Sequence, residues 1–172
     1  MLACNSENSN NKTAENENDR KFDSTSIKHD AEFAVDAASG GLMEVELGNL
    51  ASTNGASQMV KHFGQTMVSD HSKANDELKA TANSKNISLP SIPNNKMQKS
   101  IDDLKQKQGR DFDKAYMDMM VKDHKEDISH FQKEADKGND PDLKTWASGK
   151  LPVLHHHLQM AENIQRELKN EK

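Results

Sequence analysis

Cysteine is almost missing: one residue, Cys4, in 172, so no internal disulfide framework can staple the chain. Aromatic residues make up 4% and prolines number four. Few aromatics means few of the cross-strand pairs that hold sheets together, and few prolines leaves long stretches free to be helical. No apolar run approaches the ~20 residues of a membrane-spanning helix. Lys and Arg (23) are interspersed with Asp and Glu (28) for a net charge of -5. There is no basic stripe, and no nucleic-acid partner is expected. Gly-rich phosphate loops, nucleophile–base motifs and zinc-protease signatures are also missing, so no residue set for catalysis stands out.

What is there is a duplication. Met67-Val68-Ser69-Asp70-His71 returns as Met120-Val121-Lys122-Asp123-His124. At the same offset Met59 aligns with Phe112, Phe63 with Tyr116, Leu78 with Phe131 and Ala82 with Ala135. Spacing by threes and fours makes each copy one face of an amphipathic helix. The pattern predicts four long helices: Asp30 to Ser52, Ala56 to Lys85, Asp111 to Lys137, and Pro141 to Lys169. A short amphipathic helix through Met97, Ile101 and Leu104 follows the Pro90–Pro93 stretch. Thr53-Asn54-Gly55 and Gly138-Asn139-Asp140-Pro141 are tight turns, so the first and second long helices are antiparallel, as are the third and fourth. About two dozen residues join the second to the third. That is enough to cross the bundle and start the third parallel to the second, side by side, as in ferritin-like bundles. The expected fold is therefore all-α: a ferritin-like four-helix bundle over residues 29–170. Gly40-Gly41 in the first helix would be offset by close packing, and Pro152 should kink the last.

Residues 1–28 read differently. Asn5 to Ser26 is nearly devoid of apolar side chains and is expected to be a disordered tether. Leu2-Ala3-Cys4 resembles the end of a bacterial lipobox without its charged and apolar leader, which makes Cys4 the candidate lipid attachment point and a membrane the candidate partner.

A rise of about 1.5 Å per residue puts His71 ~22 Å into its helix and His124 ~20 Å into its own. The same counting brings His155-His156-His157 of the last helix to that level. Three helices thus offer imidazole at one depth, and imidazole suits zinc, copper, iron and nickel. Asp70 and Asp123 would each accept a ring N–H from a histidine on an adjacent helix. The competing reading is that same hydrogen-bonded layer with no metal. The first helix contributes nothing on this count. Its level residue falls near Ala38, with Glu44 inward but ~9 Å away along the axis. His62 and His130 read as surface residues.

Glu44-Val45-Glu46-Leu47-Gly48, the two Met-Val-x-Asp-His copies, Lys73-Ala74-Asn75, Phe112-Asp113-x-Ala115-Tyr116 and Leu151-Pro152-x-Leu154-x-x-His157-Leu158 resemble a bacterial ferritin-like domain of unknown function. Its members are commonly described as outer-membrane or periplasmic. The resemblance covers about Asp30 to Leu168. It implies an exported helical bundle with no established activity, and it favours His157 over His155 and His156. The Glu-x-x-His pairs of carboxylate di-iron bundles are missing; Asp127-x-x-His130 is the nearest approach. A ferroxidase is therefore not expected.

Overall fold

The computed structural model describes residues 9–170, and these are all-helical: α1 (Ser9–Phe22), α2 (Lys28–Asn54), α3 (Gln58–Ser84), α4 (Asn95–Lys105), α5 (Gly109–Lys137) and α6 (Pro141–Asn170). The four long helices, α2, α3, α5 and α6, form the bundle. The predicted elements are present, with α2, α5 and α6 starting within two residues of expectation.

Each end of the bundle is tied by a carboxylate. At one end Asp113, in the second turn of α5, accepts the N–H groups of Ala56 (3.1 Å) and Ser57 (2.8 Å), which lead into α3. The negative charge there offsets the orphan amides and positive dipole end of α3. A single parallel bridge pairs Gly55 with Gly109 beside it. At the other end Asp30 accepts the N–H of Asn139 at 2.8 Å, and Asp140 caps α6 through the N–H groups of Asp142 and Leu143, both at 3.0 Å. α3 and α5 therefore start at the same end and run parallel, as the crossover length predicted. Their placement differs from expectation. α2 packs chiefly on α3 and α5 on α6, with further contacts α2–α5 and α3–α6. The parallel helices α3 and α5 face each other diagonally instead of lying side by side. Antiparallel neighbours on all four sides satisfy both tight turns, and equal-depth residues then meet across the core.

The core holds Met43, Leu47, Phe63, Met67, Phe112, Tyr116, Met117 and Met120, all nearly sealed from solvent. Met59, the repeat partner of Phe112, is 38% exposed, and the adjacent Val60 is buried in its place. The α2–α3 contact is close because two glycines meet. A Cβ on Gly64 would lie 2.6 Å from the Ala51 Cβ and 2.7 Å from the Gly48 carbonyl oxygen. Gly41 is likewise needed, since a Cβ there would strike the Asn75 amide; Gly40 has room. α6 continues through Pro152 as one helix.

The expected tether is corrected. Within Asn5 to Ser26, residues Ser9–Phe22 form helix α1, and Asn11, Ala14, Asn18 and Phe22 are buried at helical spacing. The Asn18 amide pairs with both backbone groups of Ser88 (2.8 Å each), Asn11 donates to the Ile92 carbonyl (3.0 Å), and Asn10 brackets Ser91. The crossover loop has unpaired backbone groups, and asparagine amides supply both a donor and an acceptor to satisfy them. Counting apolar residues cannot detect that source of order. Cys4 lies outside the described residues. Among the described residues no helix is long and apolar enough to cross a membrane.

Candidate metal centre

The mid-core layer gathers one chemistry-bearing side chain from each long helix: Glu44 from α2, His71 from α3, His124 from α5 and His157 from α6. Exposure is 2%, 7%, 0% and 0% respectively, so the layer is shielded from bulk solvent. The imidazole rings lie 5.3–5.9 Å apart, centroid to centroid. One nitrogen from each histidine falls within 4.8 Å of the others. His155 and His156 are exposed, as are His62 and His130.

Hydrogen bonds fix two of the tautomers. His124 Nδ1 lies 3.1 Å from the Met120 carbonyl oxygen, which only accepts, so Nδ1 carries the proton. Nε2 of that neutral ring then presents a lone pair. His157 Nε2 donates to the Asp70 carboxylate at 2.9 Å, which leaves its Nδ1 bare. These two lone-pair nitrogens face each other 3.4 Å apart. Two neutral acceptors do not hydrogen-bond. Something positive between them, a proton or an ion, makes the contact favourable.

Glu44 closes the layer. Its Oε2 lies 2.7 Å from His71 Nδ1 and its Oε1 3.6 Å from His124 Nε2. Burial pushes the Glu44 carboxyl up to about 8. Burial likewise pulls His71 down to about 4, against the charges of Asp70 and Asp123. It takes His124 to about 3, helped by the other two rings, and His157 to about 4 despite the Asp70 bond. Every member is held neutral. Glu44 Oε1 and His71 Nε2 are buried without a hydrogen-bond partner.

Sequence counting set Glu44 aside. From the observed helix ends, Asn54 and Gln58, the α2 residue level with His71 is Gly41, so Glu44 lies about 4.5 Å further along the axis. Side chains tilt toward the N-terminus of their helix, which is the direction of that level, so the carboxylate arrives in the layer. Asp70 bridges α3 to α6 in the manner expected of it. Asp123 does not bond a histidine ring. It turns toward Glu44 and Asp127, one carboxylate oxygen from each lying within 4.8 Å of the others. Asp127 was missed; its signal was the i, i+4 spacing from Asp123. Burial, then the charges of Glu44 and Glu126, raise Asp123 to about 7, and Asp127 rises well above the usual carboxylate range for the same causes. A pocket of about 150 Å³ reaches the layer past Gly41, Asp70 and Leu154.

Neither the curated proteins nor the solved structures offer a match to the chain. Residues 13–164 match the family model described as Domain of unknown function (DUF4142), and the chain belongs to that family.

Proposed function

We propose that the bundle binds a divalent transition-metal ion through one nitrogen each of His71, His124 and His157, with Glu44 as the fourth donor. The observation that carries the reading is the 3.4 Å gap between His124 Nε2 and His157 Nδ1. Two nitrogens each about 2.05 Å from a tetrahedral ion sit roughly 3.4 Å apart. A shared proton is the alternative filling, but burial holds both rings deprotonated well below neutral pH. Asp70 would fix the His157 ring and raise its basicity, the usual role of a carboxylate behind a ligating histidine.

The same reading makes this an exported, envelope-associated protein with Cys4 as its lipid attachment, supported by Leu2-Ala3-Cys4 and by the family resemblance. Kinship with ferritin-like bundles is supported by the α3–α5 crossover, though three histidines and one glutamate from four helices are not the paired Glu-x-x-His set.

Titration of the purified chain, free of any His-tag, with zinc, copper, nickel and iron should show a saturable site. The His71→Ala/His124→Ala variant should lack it. No site tighter than millimolar, or one indifferent to that variant, overturns the reading. The competing role is a structural envelope module with a metal-free Asp–His layer, favoured by the Glu44–His71 and Asp70–His157 bonds, which close without an ion. Lipidation is checked by expressing the gene with its natural upstream codons and fractionating the cells. Soluble cytoplasmic protein with Cys4 unmodified sinks the anchor.

A further inference from the structure

We propose that Glu44, Asp123 and Asp127 hold a second cation, on oxygen donors alone, which shares the Glu44 carboxylate with the nitrogen-rich centre. The proposal rests on the histidine layer being a metal centre, because the sharing of Glu44 has meaning only there.

Three observations converge. One carboxylate oxygen from each of the three residues lies within 4.8 Å of the others, the spread of donors around an ion at roughly 2.1–2.5 Å. Glu44 is 98% buried, and its Oε1 has no hydrogen-bond partner. With Oε2 engaged by His71, Oε1 is a buried oxygen with a free lone pair and nothing on it. Asp123 and Asp127 also line a cavity of about 730 Å³ between α2 and α5, so hydrated ions have a way in.

The surroundings do not already neutralise the cluster. From α5 the cavity adds Lys122, Glu126, His130 and Lys133, from α2 Asp36, and from α4 Lys96. Lys122 turns to Glu126, at 3.8 Å, and among the described residues no lysine forms an ion pair with Asp123 or Asp127. Asp123 and Asp127 lie one turn apart on α5 and present a two-pronged oxygen face to Glu44. His124, between them in sequence, turns into the histidine layer. The chain thus separates two donor chemistries on one helix. Nitrogen donors select borderline transition metals, and an all-oxygen cluster selects hard cations such as manganese(II), magnesium or calcium.

The test uses the full chain with manganese(II) as probe, followed by titration calorimetry and electron paramagnetic resonance, with zinc(II) titrated in parallel. Asp123→Asn/Asp127→Asn should weaken manganese binding at least tenfold and leave a zinc equivalent in place. Asp123→Glu/Asp127→Glu, which keeps the charge, should retain manganese. His157→Gln should impair zinc and spare manganese. Helical circular dichroism verifies that each variant is folded. Unchanged manganese binding in the Asn double variant, or no manganese binding in wild type, overturns the second site while zinc bound in wild type keeps the first. Manganese lost in the Asn variant with no zinc bound in wild type supports the oxygen cluster and sinks the histidine centre.

Discussion

Replacing Glu44 by Gln should move metal binding and metal-free stability in opposite directions. In metal-stripped protein the buried carboxyl is held neutral, its folded value near 8 against an ordinary 4.5. A raised folded value means the native state holds a proton that the unfolded chain has released. Stability linked to Glu44 is therefore fully present below pH 4.5 and lost as pH rises through about 8. Between pH ~6.5 and ~7.5 the unfolded histidines still release protons and oppose this slope; above pH ~7.5 they are neutral folded and unfolded, so carboxyls dominate. For Glu44 alone the loss reaches about 3 kcal/mol at pH 7, and a further ~1–2 kcal/mol by pH 8. Gln mimics the neutral acid: its amide donates to His71 Nδ1 as the protonated carboxyl would, without an ionisation cost. Metal-free Glu44→Gln should melt above wild type at pH 7, by roughly 6–12 °C at most, and should lack much of the wild-type loss of stability above pH ~7.5. With a metal ion the order reverses. An ion at about 1,000 times its Kd stabilises wild type by about 4.1 kcal/mol, more than the ~3 kcal/mol that separates the metal-free proteins at pH 7, and the variant loses most of that. The assay is thermal melting by circular dichroism across pH, with and without chelator. If metal-free Glu44→Gln melts below wild type with an unchanged pH slope, Glu44 is an ionised partner of a charged His71 and the neutral-layer argument is wrong.

Asp70→Asn should lower metal affinity roughly 10–100-fold by loosening the His157 ring, while His155→Ala and His156→Ala, on the exposed face, leave calorimetric affinity unchanged. Gly64→Ala should destabilise the bundle by about 1–3 kcal/mol in urea unfolding, because its Cβ has nowhere to go, whereas Gly149→Ala, with nothing within 4 Å, should stabilise it by about 0.5–1 kcal/mol through helix propensity. Asn18→Leu should leave the main melting transition in place but expose α1 to limited proteolysis, because both backbone groups of Ser88 lose their partner; unchanged protection would refute the amide latch.

Sequence alone determined the helical class, the four long helices and the parallel course of α3 and α5. These follow from local quantities: apolar spacing, turn chemistry at Asn54-Gly55 and Asp140-Pro141, and the length of the crossover. It also brought His71, His124 and His157 to one level, because axial rise accumulates evenly along regular helices. Tertiary structure alone decided how those levels are filled. The diagonal placement of α3 and α5 is a property of four helices packing together, and no single helix encodes it. Glu44 reaches the layer because α2 runs on to Asn54 before the turn and its side chains tilt toward the helix N-terminus. Asp123 and Asp127 turned away from the histidines to meet Glu44 because residues a turn apart share a face, and only the position of α2 says what that face meets. Helix α1 makes the same point most plainly. Its order comes from asparagine amides pairing with a loop some 70–80 residues distant, a partnership that composition cannot register.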